Sequence, residues 1–429
     1  MNYKIFKLKY LVFALALFLL LYNFISFIRQ NAVDMPYWDE WDVADIILSK
    51  DNWREAILMQ HNEHRIGTGL TLMKIMAPFT NWSQFVEIAL VSLEILTSCF
   101  LVLYVKKKIT GEGTLFDLAI PLIFLNILQW GNILFAFQVT FVFPLLFLCL
   151  GIWALTVEDT ARRNVLLVIF SLLGAFSSFH GLFIPVIFIV FLAGEAWIRR
   201  FKAWRVSLLT ILAEILIIAL YFWGYERKLQ ATINLKPDFL TLDFFSTVIA
   251  NWFFFHADIS KYFGLGYLLT VITVLFLIWG IYQIMTSKNQ KKLVFWVGII
   301  FIGYMLLFAL SITIGRFTFG LGQASETRYI TFSMLAPLGI YFILESFNKR
   351  NIFRIILILI LLGGLFSYPG YINDSIEVSS KARAEAAQCY QKKEQKEYPF
   401  CYEIAQLYPD ETRINSFMPK VLEYKKKEK

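Results

Sequence analysis

YLVFALALFLLLYNFISF, residues Tyr10 to Phe27, follows three lysines, Lys4, Lys7 and Lys9, and carries no charge. A run this apolar behind a basic flank has the outline of a secretory leader. It is longer than the about 7–15 apolar residues of a leader and lacks a small-residue cleavage site. It therefore reads as an uncleaved first membrane helix with its N-terminus on the cytoplasmic side.

The rest of the chain extends that reading. Of 429 residues, 58% are hydrophobic and 17% aromatic, while only 17% are charged. Such a chain cannot cover its apolar surface with polar side chains, so lipid must be part of its solvent. The net charge of +8 does not indicate nucleic acid, because Lys and Arg sit in short clusters between apolar runs and form no patch or stripe. Runs near the roughly 20 residues needed to cross a bilayer recur at 8–28, 84–105, 114–129, 133–156, 164–178, 181–198, 206–224, 264–286, 293–314, 329–347 and 353–370, predicting eleven helices.

The clusters Lys106-Lys107-Lys108, Arg162-Arg163, Arg199-Arg200-Lys202, Lys288-Lys291-Lys292 and Lys349-Arg350-Arg354 fall at every second gap. The positive-inside rule assigns those gaps to the cytoplasm. Long segments at 29–83, 225–263, 315–328 and 371–429 then lie outside. The expected protein is an all-α polytopic membrane protein, with a membrane domain over 1–370, a long first outer loop at 29–83 with amphipathic helices, and a small outer tail at 371–429. No repeat or low-complexity tract interrupts it, and the basic end Lys425-Lys426-Lys427 is expected to be solvated. Cys99 and Cys149 lie in apolar runs; Cys389 and Cys401, in the tail, are near enough for one disulfide and have no metal-ligand spacing.

The first outer loop begins Asp34-Met35-Pro36-Tyr37-Trp38-Asp39-Glu40-Trp41-Asp42. Aromatics at an interface are ordinary belt residues, but the carboxyls of Asp39 and Glu40 between Trp38 and Trp41 would be partly desolvated. Desolvation raises a carboxyl pKa and suits a general base. The competing reading makes Asp39 or Asp42 the N-cap of a helix over Val43–Leu48. An amphipathic stretch with Trp53, Ala56, Ile57 and Met59 leads to His61-Asn62-Glu63-His64-Arg65. If that segment is helical, His61, His64 and Arg65 share a face and form a donor set for a phosphate or pyrophosphate. Two histidines with a glutamate also offer ligands to a divalent metal, although the spacing is not that of the metalloprotease helix. Plain surface decoration is the third reading.

Elsewhere on the outer side, Gln129, Asn132 and Gln138 flank one turn and His180 occupies another, where amides and histidines commonly satisfy freed backbone groups. The aromatic run Trp252-Phe253-Phe254-Phe255-His256, with Asp258, reads as an interfacial anchor. The last outer loop carries Arg316, then Glu326, Arg328 and Tyr329. Arg328 at a helix mouth can neutralise a lipid phosphate, pair with Glu326, or snorkel.

Tyr37-Trp38-Asp39-Glu40-Trp41, together with His61-Asn62-Glu63-His64-Arg65 and the basic residues at later outer helix ends, resembles the C-type (GT-C) integral membrane glycosyltransferases, in particular an uncharacterised bacterial branch. The Asp39-Glu40 pair is similar to the Asp-Glu pair opening the same loop in protein O-mannosyltransferases. The resemblance is architectural over nearly the whole chain; the short tail at 371–429 leaves no basis for a reader of protein acceptor sequences.

The resemblance implies a transferase of the bacterial cytoplasmic membrane that moves a sugar from a polyprenyl-phosphate donor to a glycan or lipid-linked acceptor outside, among membrane lipids and without nucleic acid. Asp39 would be the base, and Glu40 would orient it or bind a cation. His61, His64, Arg65 and Arg328 would hold the donor phosphate, with Glu63, His180, Arg316 and Tyr329 completing the substrate site. Direct displacement would invert the sugar carbon. A divalent cation is compatible with this set and not demanded by it. The alternatives are a lipid-linked glycan polymerase or ligase, a flippase, which would need polar residues through helix interiors that read as largely apolar, and a structural or sensor protein.

Overall fold

The computed structural model describes residues 3–198, 204–226, 239–253, 263–287, 289–346, 351–366 and 370–426. Eight stretches are helical, long and apolar enough to cross a membrane: Leu8–Asn31, Gln84–Thr110, Leu115–Ile133, Phe179–Ile198, Arg205–Phe222, Gly264–Thr286, Lys292–Phe319 and Thr327–Glu345. The other three runs fold as the shorter helices Gln138–Ala154, Thr160–Ala175 and Asn351–Phe366. Asp159 caps the second of these, its carboxylate accepting from the Arg162 N–H at 2.8 Å, so Arg162 and Arg163 start a helix instead of preceding it. An unanticipated helix, Phe239–Ala250, occupies part of the segment read as an outer loop. Arg199, Arg200, Lys202, Lys288, Lys349 and Arg350, and Phe254, Phe255, His256 and Asp258, lie outside the described residues.

The Gln84–Thr110 helix, about 40 Å long by its residue count, has two chemically different ends. At its start, Lys425 Nζ reaches Asp34 Oδ1 at 2.9 Å, Gln84 Oε1 at 2.8 Å and the Trp82 carbonyl at 3.0 Å. The expectation of a solvated basic end therefore fails at Lys425, which is held by the carboxylate, amide and carbonyl oxygens gathered around this helix start. At the other end, Lys106 is fully buried between Asp117 at 2.8 Å and Glu345 at 3.0 Å, and Arg354 pairs with Glu345 at 3.0 Å. Charges taken out of solvent require such partners.

Two stretches of this helical frame are broken. Leu115–Ile133 divides into short turns around Asn126, whose Oδ1 accepts from the Leu128 N–H at 3.0 Å. Phe317–Ser333 likewise runs through three short 3-10 turns and one α-helical turn. Non-helical backbone at such depth is tolerated where it is buried in protein or lines a cavity. Asn132 binds the two stretches together, its amide donating to the Arg328 carbonyl at 2.8 Å and to Thr331 Oγ1 at 2.6 Å. Asn289–Arg316 crosses Leu335–Glu345 at a glycine pair, where a Cβ added at Gly298 would lie 2.8 Å from the Gly339 carbonyl oxygen. That crossing brings Arg316 and Arg328 to the same end.

The first loop folds as helices Glu40–Leu48, Trp53–Leu58 and Gly67–Thr80, with a small antiparallel hairpin, Gln60–His61 against His64–Arg65. The tail forms helices Gly370–Lys392, Tyr398–Ile404 and Glu411–Lys426, the first two joined by a Cys389–Cys401 disulfide. It lies on the first loop: the Trp38 N–H donates to the Leu407 carbonyl at 2.8 Å, and Arg413 Nε donates to the Trp41 carbonyl at 3.0 Å.

Candidate functional site

A cleft opens where the first loop meets the helix ends, lined by Asp39, His61, Glu63, His64, Arg316, Arg328 and Tyr329 among others. These seven were all singled out in the sequence. The other three, Glu40, Arg65 and His180, stand behind the cleft.

The split between Asp39 and Glu40 follows from the backbone. Trp38 adopts φ 52°, a left-handed conformation costly for a large side chain, and Asp39 then takes the N-cap position of Glu40–Leu48. Asp39 makes no side-chain capping bond, so its carboxylate is left to the cleft. Glu40 turns inward. Its Oε1 accepts from the Phe137 N–H at 3.2 Å and its Oε2 is buried without a hydrogen-bond partner among the described residues. Burial pushes the Glu40 carboxyl up to about 8, so it is largely neutral at pH 7. Of the two residues, Glu40 braces the 135–138 turn, and Asp39 faces the cleft.

The 61–65 segment is a hairpin and not a helix. Asn62 supplies its turn at φ 49°, a conformation Asn tolerates better than most residues. Pairing opposes His61 to His64 and Gln60 to Arg65, which replaces the expected helical face by a cross-strand pair. Arg65 is consumed by backbone: its guanidinium donates to the Tyr221 carbonyl at 2.7 Å, Trp223 at 2.6 Å and Leu58 at 3.1 Å. It ties the hairpin to the end of the Trp204–Phe222 helix and does not line the cleft.

His64 Nδ1 accepts the Phe179 N–H at 3.1 Å, which places its ring proton on Nε2, 3.5 Å from Glu63 Oε1. Burial lowers its pKa to about 4, so the cleft contains a neutral imidazole donor at pH 7. Burial alone would raise Glu63, but the neighbouring His64 and Arg316 hold it below the usual carboxylate range; Arg316 contacts its Oε1 at 2.5 Å. Arg328 lies within electrostatic reach of Asp39 and Glu326, and its Nε is buried without a hydrogen-bond partner among the described residues. A partly buried guanidinium with a spare donor at a cleft wall has the chemistry to meet an oxyanion.

His180 is packed beneath, among Phe141, Phe308 and Phe332. Its Nε2 is 3.0 Å from the Phe141 carbonyl and its Nδ1 2.7 Å from Ser178 Oγ, so both nitrogens are used in holding the turn. Gln129 is equally structural, bonding the Phe124 carbonyl and Thr331.

Sequence reasoning treated Asp42 only as a capping residue and did not reach Tyr408 or Arg413. Asp42 sits one turn after Asp39, and that i, i+3 spacing was the available signal. Its Oδ2 is 3.0 Å from His61 Nε2 and its Oδ1 accepts from the Tyr408 hydroxyl at 2.7 Å. Burial would raise its pKa; the bonds from His61 and Tyr408 outweigh that and lower it. Asp39, Asp42 and His61 each present one ligand atom within 4.8 Å of the others, a set that could hold a metal ion. Binding one would replace the His61–Asp42 hydrogen bond. The pairing of two histidines with Glu63 considered from sequence is not that set.

Comparison with known proteins places no constraint on this arrangement: no protein-family model, curated protein or solved structure matches the chain.

Proposed function

We propose that the protein is a glycosyltransferase of the GT-C type, which moves a sugar from a polyprenyl-phosphate donor to a hydroxyl of a glycan or lipid-linked acceptor on the extracytoplasmic face of a bacterial cytoplasmic membrane. The observation that carries this reading is one cleft holding a carboxylate not used in capping, Asp39, and two cations, Arg316 and Arg328, beside helices of membrane-spanning length. In the proposed step Asp39 takes the acceptor hydroxyl proton as the oxygen attacks the anomeric carbon. The bond from that carbon to the phosphate oxygen breaks, and the polyprenyl phosphate leaves with the electron pair. Arg316, Arg328 and the Nε2–H of His64 meet the charge that develops on it. A divalent cation held by Asp39, Asp42 and His61 would supply positive charge to the bound substrate, and Asp39 would then act as its ligand and not as the free base.

The orientation belongs to the same proposal. Eleven spans with a cytoplasmic N-terminus put the first loop and the tail on one side. Their mutual packing at the Gln84 end, with the Lys106–Glu345–Arg354 network at the far end, supports it.

A transport reading has its own support. Glu94 and Glu214 are buried in apolar helices with neither carboxyl oxygen hydrogen-bonded among the described residues, so the helix interiors are less apolar than the sequence suggested.

The deciding experiment compares surface glycan from a deletion strain complemented with wild type or Asp39→Asn at equal membrane levels, by mass spectrometry. Loss of one defined sugar in the deletion and in the variant supports transfer with Asp39 as base. A shortened chain indicates polymerisation. Unaltered glycan in the deletion strain refutes the assignment.

A further inference from the structure

Five tail residues touch the first loop, most of them beside the residues that shape the cleft. Leu407 accepts the amide of Trp38, the residue whose left-handed backbone sets the direction of Asp39. Tyr408 donates to Asp42, and Arg413 donates to the Trp41 and Asp42 carbonyls while lying 3.6 Å from Asp42 Oδ1. Arg383 lies over the rings of Tyr37 and Phe135 at 5.0 and 4.9 Å. Lys425 closes the far end on Asp34. A tail present only as an appendage would have no reason to satisfy buried polar groups of another segment one by one.

The relay formed is short. Tyr408 Oη fixes one oxygen of Asp42, the other oxygen fixes His61 Nε2, and His61 and Asp39 both line the cleft. Asp42 itself is half-buried, and without its tail partners its carboxylate can rotate away from His61. Preorganised sites depend on supporting shells of this kind, and displacements below an ångström suffice to slow chemistry.

From this geometry we infer that Tyr408 is a positioning residue: through Asp42 it sets His61, while its neighbour Leu407 holds the Trp38–Asp39 turn, so that the cleft is complete only with the tail docked. The inference rests on the glycosyl-transfer reading for its functional consequence, but its structural half stands apart from that reading. The Cys389–Cys401 bond joins the two tail helices immediately before Leu407 and Tyr408, and so helps hold the docking loop.

The test uses the full chain and two variants with the same chemical change. Tyr408→Phe removes the hydroxyl on Asp42. Tyr390→Phe removes a buried tail hydroxyl that has no hydrogen-bond partner among the described residues and serves as the control. Hydrogen exchange in detergent follows residues 38–42 and 60–65, and glycan mass spectrometry in the complemented deletion strain follows transfer. Tyr408→Phe is expected to speed exchange in both segments and to lower sugar incorporation about ten-fold, the scale of one lost hydrogen bond to a charged group. On an Asp42→Asn background it should add nothing further. Tyr390→Phe should match wild type in both readouts. If Tyr408→Phe is indistinguishable from Tyr390→Phe in exchange and in glycan, the inference is overturned. Faster exchange in a strain whose glycan does not depend on Asp39 would keep the structural coupling and remove the glycosyltransferase.

Discussion

Glu40→Gln separates the two carboxyls that stand side by side in the sequence. Glu40 is buried and its pKa is raised from 4.5 to about 8, so the folded protein holds a proton there that the unfolded chain loses. Below pH 4.5 both states are protonated and the group contributes no difference. Between 4.5 and 8 the unfolded state is favoured by about 1.4 kcal/mol for each pH unit, and above 8 the difference levels off. At pH 7, about two and a half units into that window, wild type carries a cost on the order of 3 kcal/mol. Gln cannot ionise, retains an oxygen for the Phe137 N–H, and should remove most of that cost.

The assay is the thermal midpoint of both proteins in one detergent from pH 4 to pH 9. The variant should match wild type near pH 4 and exceed it progressively toward pH 8. Glycan transfer should be retained within about three-fold, because a brace that is neutral at pH 7 is replaced by a neutral isostere. A midpoint difference that does not change with pH refutes the burial argument. Abolished transfer with intact folding would make Glu40 the base and Asp39 its support.

Lys106→Ala removes the cation shared by buried Asp117 and Glu345, leaves Arg354 alone to pair with Glu345, and should destabilise the protein by about 3 kcal/mol, read as a lowered thermal midpoint, while Lys107→Ala on the same helix end changes little. Arg328→Ala should raise the donor concentration needed for half-maximal transfer at least ten-fold in a reconstituted assay, with only a small drop in thermal midpoint from its lost contact with the Tyr329 ring; a midpoint collapse would mark it as structural.

Much of this protein was legible without coordinates. Membrane class, helix runs and the polar segments that would gather at one end are sums over local sequence, because transfer of apolar residues into lipid is additive along a helix. The same holds for the first loop as the place to look: carboxyls and histidines beside a membrane span stand out by composition. Tertiary structure decided which member of each neighbouring pair faces the cleft. Asp39 points out and Glu40 in because Trp38 takes a left-handed φ stabilised by a carbonyl of the tail. His64 reaches the cleft while Arg65 does not, because Asn62 turns the chain into a hairpin and the carbonyls of Tyr221 and Trp223 hold the Arg65 guanidinium. The Asp42–Tyr408 bond spans 366 residues, and no local pattern encodes it. Side-chain direction is set by a few backbone angles and by partners supplied from distant segments, so a reading of neighbours finds the right region and leaves its inner arrangement to the fold.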